Sequence, residues 1–163
     1  MSKVALDAAD IRILCAVQKH GRLSKVKLAE QAALSPTPCW TRLARLEKAG
    51  LILAYHADIA LGRITDVAKV VVTVSLGQHR KSDFERFERD IEKRDEIVEC
   101  IATGGGMDYV MTVVTPGLPA FQDLMEELMA ADLKIDRYMT YIATREVKSI
   151  RPNLDRLVDD PRT

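Results

Sequence analysis

Aromatic residues and closely spaced cysteines are scarce in this chain of 163 residues. Aromatic residues make up 5% of it, and the three cysteines, Cys15, Cys39 and Cys100, lie far apart. An odd number of distant cysteines predicts neither a disulfide framework nor a structural zinc site, and it indicates a reducing cytoplasm. No apolar run reaches the ~18–20 residues of a membrane span, and the N-terminus lacks the apolar core of a signal peptide. We therefore expect a cytoplasmic protein that does not contact membranes.

Sequence motifs of common enzymes and metal sites are missing as well. There is no H-E-x-x-H, no G-x-S-x-G and no P-loop. The histidines His20, His56 and His79 are scattered, and no two of them share a predicted helix face. We therefore expect no catalytic residue, no metal and no cofactor.

The charge of the chain is unevenly distributed although its formal total is +0. Residues 1–60 carry nine Lys or Arg against five Asp or Glu, whereas residues 61–163 carry fifteen against nineteen. This asymmetry predicts that only the first part meets a polyanion such as a nucleic acid.

Three helix-start signals lie in the first part. Asp7, Ser24 and Ser35 are each placed to cap a helix. Two prolines in the first turn of the third helix cost little, because the first N–H groups of a helix have no acceptor within it. Three helices with a short turn between the second and third are typical of a helix-turn-helix. With a strand predicted over 51–59, residues 1–60 are predicted to form a winged-helix-like DNA-binding domain.

Residues 67–150 alternate between strand and helix patterns after a short linker at 61–66. The order β-α-β-β-α-β, with its last strand at 138–148, is ferredoxin-like, so the whole chain is predicted to be α+β. Right-handed crossovers put both helices on one face of the sheet, yet the strands are apolar on both faces. We therefore expect a second subunit to cover the open face, most simply in a homodimer. Residues 151–163 are a C-terminal tail to which we assign no function.

The third helix carries most of the predicted DNA contacts. At 100° per residue, Cys39, Leu43 and Leu46 face the core, while small hydroxyls and arginines face outward. Threonine can touch a base edge or a thymine methyl, and arginine can fork onto guanine or clamp a phosphate. The serine before the helix and the N–H groups of its first turn can hold a phosphate, and two lysines of the preceding helix can contact the DNA backbone. An ordinary solvated face is the alternative for each single residue, and packing explains Trp40 equally well. The candidate DNA-binding residues are Lys25, Lys27, Ser35, Thr37, Pro38, Trp40, Thr41, Arg42 and Arg45.

Two separate segments of the chain resemble the Lrp/AsnC (feast/famine) regulators. The first contains Asp7-x-x-Asp10 followed by Ile13-Leu14, and later the run Leu34-Ser-Pro-Thr-Pro-Cys-Trp-Thr-Arg-Leu43. The second is Ala102-Thr-Gly-Gly-Gly-Met-Asp-Tyr109. The resemblance covers nearly the whole chain. It implies a dimer that can assemble into tetramers, octamers or hexadecamers, and a C-terminal domain that binds an amino acid between dimers.

The resemblance also implies where the effector binds, namely at the glycine turn and on the last strand. The usual family pattern has one glycine followed by two variable residues and Asp-Tyr, whereas here three glycines precede Met107. Extra glycines leave room for a ligand and expose N–H groups suited to a carboxylate. A tight hairpin that needs positive φ is the alternative explanation. The candidate effector-binding residues are Gly104, Gly105, Gly106, Met107, Asp108, Tyr138, Thr140 and Thr144.

These observations predict a sequence-specific, DNA-binding transcriptional regulator that responds to an amino acid or a related small metabolite. Its predicted partners are double-stranded DNA, a small-molecule effector and further copies of itself. Three alternatives stay open. An architectural, nucleoid-type protein would bind DNA without a ligand, and a helix-turn-helix used only for protein contacts would bind no DNA. An enzyme has the least support, although ferredoxin-like domains do host catalysis.

Overall fold

The structure of the chain is a computed structural model that describes residues 4–158. These residues form two compact units. The first unit holds residues 4–59 and 148–158 of the described chain and is helical, and the second is Ala60–Val147 and contains a four-stranded sheet. No helix within residues 4–158 is long and apolar enough to cross a membrane.

The first unit is built on the three helices that the sequence predicts, α1 (Ala8–His20), α2 (Lys25–Gln31) and α3 (Pro36–Lys48). The side chain of Asp7 accepts a hydrogen bond from the Asp10 N–H and so caps α1. Ser24 caps α2 by accepting from the Lys27 N–H. The apolar faces of the helices meet in one core, which includes Ile13, Val17, Leu28, Leu43 and Leu46.

The turn between α2 and α3 is tight. The Leu34 N–H donates to the carbonyl of Ala29 over 2.9 Å, which reverses the chain within a few residues. Ala33 adopts a φ of 52° in this turn. This left-handed conformation costs a residue that has a Cβ roughly 1–2 kcal/mol. The angle between the two helices is therefore maintained at the expense of one strained residue.

The segment after α3 is not a strand, so the prediction of a strand over 51–59 is wrong for the single chain. Residues 52–60 have no regular structure, and Leu53 is 94% exposed. A strand needs a neighbour to complete its ladder of hydrogen bonds, and no other segment of the described chain pairs with this one. A hydrogen bond of 2.7 Å from the Tyr55 hydroxyl to the Glu47 carboxylate ties the segment to α3. Any strand partner would have to come from another chain.

The second unit has the predicted β-α-β-β-α-β order, which confirms the ferredoxin-like, α+β fold. The four strands form one antiparallel sheet in the order β2-β3-β1-β4. Both helices pack on the same face of this sheet, because their buried side chains belong to the same core cluster. The elements are β1 (Ala68–Leu76), α4 (Lys81–Ile91), β2 (Ile97–Ala102), β3 (Tyr109–Thr115), α5 (Gly117–Ala130) and β4 (Ile135–Ile142).

The strand β4 spans Ile135–Ile142 and not the predicted 138–148. Among residues 4–158 it pairs only with β1, and its register ends where Ile142 lies opposite Val70. The last backbone contact joins the Ala143 N–H to the carbonyl of Lys69 over 2.9 Å. The strand therefore ends where its neighbour ends, and the apolar residues that follow it in the sequence lie outside the sheet.

The face of the sheet away from the helices exposes apolar side chains from all four strands, among polar residues that include Lys69, Glu99 and Thr112. Val71, Val110 and Val114 are partly exposed in the two central strands. The outer strands add Ile101 and Met139, which are 50% and 44% exposed. Antiparallel sheets that meet water on one face usually carry polar residues there. This surface, defined by these five apolar residues, is called the open sheet face below.

The chain returns to the first unit after β4. Residues 148–158 belong to that unit, and they end in a short helix, α6 (Leu154–Val158), that lies against α1. The thiol of Cys15 donates to the Asp155 carboxylate over 3.6 Å, and Asn153 caps the helix by accepting from the Arg156 N–H. The described part of the tail therefore packs on the helix-turn-helix unit.

Candidate DNA-binding and effector sites

The helix α3 separates an apolar inner face from a polar outer face, as its helical period predicts. Cys39, Leu43 and Leu46 are 1%, 5% and 0% exposed and form the inner face. Thr37, Thr41 and Arg45 are exposed, and their four-residue spacing puts them in one line along the helix. The outer face also exposes Pro38, Ala44 and Lys48.

The start of α3 offers fewer phosphate-binding groups than the sequence analysis expected. Ser35 lies at the N-cap position, but its side chain makes no capping hydrogen bond. Such a bond needs the N–H of the second or third helical residue, and the third residue, Pro38, has none. Pro36 has none either, so Thr37 is the only one of the first three residues with an N–H group. The expectation of several free N–H groups is therefore wrong, and the Ser35 hydroxyl and the Thr37 N–H are left.

Two carboxylates of α1 and its cap contact the arginines of α3. The Arg42 Nη1 donates to Asp7 Oδ2 over 2.7 Å and to Asp10 Oδ1 over 2.9 Å. The Arg45 Nη2 donates to Asp10 Oδ2 over 2.5 Å. The Asp10 side chain is 2% exposed, whereas Arg42 and Arg45 are 34% and 51% exposed. Each arginine is thus held at its guanidinium by a buried acid while much of its side chain faces outward.

Hydrogen bonding keeps these groups ionised. Burial alone would raise the pKa of Asp10, but hydrogen bonds from Arg45, the Asp7 N–H and Arg42 outweigh burial and lower this pKa to about 2. The Asp10 N–H and Arg42 hold the pKa of Asp7 below its ordinary value. The pKa of Arg42 is raised by Asp7 and Asp10. The acids and Arg42 are therefore charged at neutral pH.

A recess of about 810 Å³ lies between the start of α1 and the outer face of α3. The carboxylates of Asp7 and Asp10 line one side of it. The other side is formed by side chains that the sequence analysis assigned to DNA contact, namely Thr37, Pro38, Thr41, Arg42 and Arg45. The structure therefore brings five of the nine candidates to one shallow, open surface.

The remaining candidates lie on α2 and at its contact with α3. Trp40 is 42% exposed and is not a core residue. The ammonium group of Lys25 lies 4.4 Å from the centroid of the Trp40 ring, and a cation–π contact of this kind holds the lysine beside α3. Lys27 is exposed on α2. Both lysines are therefore accessible from solvent next to the outer face.

The contacts that Asp7 and Asp10 make with arginine are not predicted from the sequence. There Asp7 is predicted only to cap a helix, and Asp10 is only part of a family motif. A signal was present, because Asp10 stands three residues before Ile13 and thus shares the buried face of α1. A carboxylate on a buried face needs a cationic or hydrogen-bonding partner, and arginine is the residue that most often provides one.

The glycine turn at 103–108 joins β2 to β3. The Thr103 N–H donates to the carbonyl of Asp108 over 2.8 Å, and the Thr103 hydroxyl donates to the carbonyl of Met107 over 2.6 Å. Gly105 has a φ of 145°, a conformation that residues with a Cβ rarely adopt. Within residues 4–158, no backbone acceptor is bonded to the N–H groups of Gly104, Gly105, Gly106 and Met107. The turn therefore presents a run of donors to the surroundings.

The carboxylate of Asp108 is occupied by groups of the same chain. Its Oδ2 accepts from the Leu76 N–H over 2.7 Å and from the Ser75 hydroxyl over 3.2 Å, and its Oδ1 lies 3.1 Å from His79 Nε2. Burial would raise the pKa of Asp108, but the Leu76 N–H, His79 and Ser75 lower it on balance. In this structure Asp108 fastens the turn to the end of β1, and a role in contacting an effector stays a prediction.

The three candidates of the last strand do not gather at the turn. Tyr138 lies opposite Val74 near the turn, and Thr140 lies opposite Val72 in the middle of the sheet. Thr144 follows β4 at the far end, roughly 20 Å away at about 3.3 Å per residue. Arg137, which the sequence analysis missed, instead donates from Nη2 to the carbonyl of Gly106 over 3.3 Å. Its cationic side chain gave no distinguishing signal among many surface arginines.

Family models match both units of the chain. A model described as winged helix-turn-helix DNA-binding covers residues 6–52, which include α1, α2 and α3. A model described as the Lrp/AsnC ligand binding domain covers residues 69–152, which include the glycine turn.

Curated relatives match over nearly the whole chain. It is 39% identical over 158 residues to the transcriptional regulatory protein DoeX of Halomonas elongata, a match that covers 97% of this chain and 99% of the relative. It is 34% identical over 143 residues to the leucine-responsive regulatory protein of Escherichia coli, covering 88% of this chain and 87% of that protein. These relatives are named as regulators and not as enzymes.

Solved structures share the fold. The transcriptional regulator NMB0573 of Neisseria meningitidis, solved in complex with L-Met, superposes with a TM-score of 0.83 at 29% identity and covers 90% of this chain and 94% of its own. An AsnC family regulator from Agrobacterium tumefaciens superposes with a TM-score of 0.85 at 26% identity, covering 93% and 99%. With a DNA-binding winged helix-turn-helix and a ligand-binding unit matched in one chain, the protein belongs to the Lrp/AsnC family of ligand-responsive transcriptional regulators.

Proposed function

We propose that this regulator acts as a homodimer or larger assembly that inserts α3 into the major groove of operator DNA. Its DNA binding changes when an amino acid or a related small metabolite binds at the turn 103–108. The observation that carries the proposal is the exposed line of Thr37, Thr41 and Arg45 on the helix that a helix-turn-helix directs into the groove. The protein acts in the cytoplasm, where the bacterial or archaeal chromosome lies.

The outer face of α3 offers the two kinds of contact that a DNA site needs. Thr37 and Thr41 present methyl and hydroxyl groups of a size that suits thymine methyls and base edges. Arg45 presents a guanidinium that can fork onto guanine, and Arg42 lies beside it. Phosphate contacts fix the position of a protein on the duplex without reading its sequence. In this proposal they come from Lys25, Lys27 and Ser35, and Pro38 and Trp40 form the rim of the surface.

A second copy of the chain is the proposed occupant of the open sheet face. The apolar side chains of this face cover all four strands, and large apolar patches on soluble proteins mark interaction sites. The hydroxyl of Thr73 at its centre is buried and has no hydrogen-bond partner within residues 4–158. A twofold axis would place the same patch on both chains. The assembly also offers a partner to the exposed segment at Leu53.

The effector site is proposed at the glycine turn because of its free donors. Consecutive backbone N–H groups form a cradle for anions, and Arg137 adds a positive charge at Gly106. An α-carboxylate fits both features. The relative from Neisseria meningitidis was solved with the amino acid L-Met, which supports an amino acid-like ligand here. Thr140 and Thr144 lie too far along the sheet to reach the turn of their own chain, so they take part only if a neighbouring subunit supplies them.

The effector acts by population shift in this proposal. A ligand at an interface between subunits favours one assembly state or one spacing of the helix-turn-helix units. Its effect is limited by the difference between its affinities for the two states. The operator then has half-sites about one helical turn, ~34 Å, apart or a multiple of that distance.

The test of DNA recognition is selection of genomic fragments by the purified full chain, followed by sequencing. We expect enrichment of a small set of fragments and a steep loss of affinity with salt through counterion release. Arg45→Ala should weaken binding to these fragments, whereas Arg89→Ala, which removes a positive charge from α4, should not. Retention of all sequences alike would favour the architectural alternative. No retention at low salt would favour a helix-turn-helix used for protein contacts.

The test of effector binding is thermal unfolding with natural amino acids and diamino acids. A ligand that binds the folded state raises the midpoint by mass action. We expect a specific rise with one amino acid or a close group of them. A flat result across the whole set would contradict the effector part of the proposal and leave the DNA-binding part standing.

A further inference from the structure

Asp10 is a buried charge that makes more contacts than the capping box of α1 requires. Its carboxylate is 2% exposed and accepts hydrogen bonds from Arg42, from Arg45 and from the Asp7 N–H. The start of α1 is a capping box, in which Asp7 accepts from the Asp10 N–H and Asp10 accepts from the Asp7 N–H. A buried carboxylate is costly unless its partners satisfy it. The capping box accounts for one of the three hydrogen bonds to Asp10, and the two bonds from arginines need a further explanation.

The partners of Asp10 are the two arginines that face the proposed DNA surface. An arginine has five N–H donors. Arg45 uses Nη2 and Arg42 uses Nη1 toward the acids, and within residues 4–158 neither guanidinium makes another hydrogen bond. The other donors and the exposed half of Arg45 are thus available outside. A guanidinium that is already fixed loses less side-chain freedom when it binds a base.

We propose, on the basis of the proposed function, that Asp10 is a positioning residue that sets which base pairs the operator must present. It touches no DNA itself. It holds the guanidinium of Arg45 in one orientation, so that the fork meets guanine at one position of the site. Arg42 is fixed in the same way but shares its Nη1 with the exposed Asp7, so it depends less on Asp10.

A competing explanation makes a different prediction for DNA affinity. If Asp10 only neutralised the arginines, its charge would weaken binding to every duplex, because a carboxylate repels phosphates. Removing the charge would then tighten operator and random DNA equally. If Asp10 positions Arg45, removing the charge weakens operator binding although a negative charge near DNA has been lost. The two explanations therefore predict opposite signs for the operator.

The experiment compares Asp10→Asn with the matched control Asp7→Asn in the full-length protein. Both changes remove one negative charge from the same edge of α1, and asparagine at position 7 still caps a helix. The readout is the ratio of dissociation constants on a random duplex and on a fragment selected from the genome, at one salt concentration. We expect this ratio to fall at least tenfold for Asp10→Asn, since a well-made bidentate base contact discriminates by about that factor. For Asp7→Asn the ratio should stay within about twofold, because Asp10 still holds both arginines.

A second pair of measurements separates positioning from stability. In an Arg45→Ala background, Asp10→Asn should no longer change the ratio, because the residue through which it acts is absent. Arg45→Lys keeps the charge and a donor for Asp10 but loses the fork, so it should lower the ratio about tenfold without weakening random binding. The fluorescence of Trp40 reports whether each variant folds.

The outcomes are distinguishable. A retained ratio in folded Asp10→Asn, or equal tightening on both duplexes, would overturn the positioning role. If Asp10→Asn does not fold, a retained ratio in Arg45→Lys would overturn it instead. Failure of the unaltered protein to discriminate any duplex would show that the proposed function itself is wrong.

Discussion

The charge of Asp10 should stabilise the helix-turn-helix unit in a manner that depends on pH. Its pKa in the folded chain is about 2 against an ordinary value of 3.8. One pKa unit corresponds to ~1.36 kcal/mol, so the lowered pKa corresponds to about 2 kcal/mol of stability. The folded pKa lies below the unfolded one. The contribution is therefore complete above the unfolded value and is lost as the pH falls toward the folded value.

The perturbation is Asp10→Asn, and the assay is urea unfolding of the full-length protein at pH 7 and pH 3. Trp40 is the only tryptophan in the chain, so its fluorescence follows this unit. The protein concentration is kept constant, because assembly contributes to apparent stability. We compare the free energy of unfolding of the unaltered protein with that of Asp10→Asn. The part of this difference that comes from the charge should be about 2 kcal/mol at pH 7 and about 1 kcal/mol at pH 3. Asp7→Asn, at an exposed position, should show a smaller change.

The pH dependence decides between charge and shape as the cause. Asparagine also places an NH₂ group where an arginine donates. The resulting loss of unfolding free energy does not depend on pH, because the amide does not titrate. If the difference in unfolding free energy between the unaltered protein and Asp10→Asn is the same at pH 7 and pH 3, the charge of Asp10 contributes nothing and the reasoning fails.

Three further predictions concern the turns and the open sheet face. Ala33→Gly should raise the free energy of unfolding by roughly 0.5–1 kcal/mol in urea titrations, since glycine adopts its φ without strain but loses more entropy on folding; a loss of stability would contradict this. Gly105→Ala should raise at least tenfold the effector concentration that is needed for a given rise in the thermal unfolding midpoint, because the φ of 145° at this position suits only glycine. Gly104→Ala, at a position with open space, should leave that response intact, and equal effects of both changes would count against the assigned turn geometry. Val110→Glu should give monomers in sedimentation experiments and reduce operator affinity, because a charge cannot be buried between apolar sheet faces without a partner; an unchanged assembly would exclude this face as the interface.

Local signals predicted the helices and the central strands well. The caps at Asp7 and Ser24 and the helical period of α3 depend on residues within one or two turns of each other, so they can be inferred from neighbouring positions. The strand β3 spans Tyr109–Thr115 and takes its place in the predicted β-α-β-β-α-β order.

Features that depend on distant partners could not be predicted in the same way. The strand expected over 51–59 needs a neighbour, and its composition does not show whether the same chain provides one. The contact between Arg45 and Asp10 joins residues 35 positions apart, and Arg137 reaches Gly106 across 31 positions. Such pairs follow from the packing of whole helices and strands.

One error at the candidate site was avoidable from the sequence. Pro36 and Pro38 have no N–H groups, so a phosphate cradle of several donors at the start of α3 was excluded before the structure was known. The role of Asp108 was less accessible. Its carboxylate is engaged by the Leu76 N–H and Ser75, which requires the turn to fold back on the end of β1.

The central claim is that paired ligand-binding units present two copies of α3 to the major groove. Hydroxyl-radical footprinting of the full-length protein on a fragment selected from its own genome tests this claim most directly. The account predicts protection at two half-sites whose centres lie about one helical turn, ~34 Å, apart or a multiple of that distance. Protection of a single half-site, or none at low ionic strength, would contradict it.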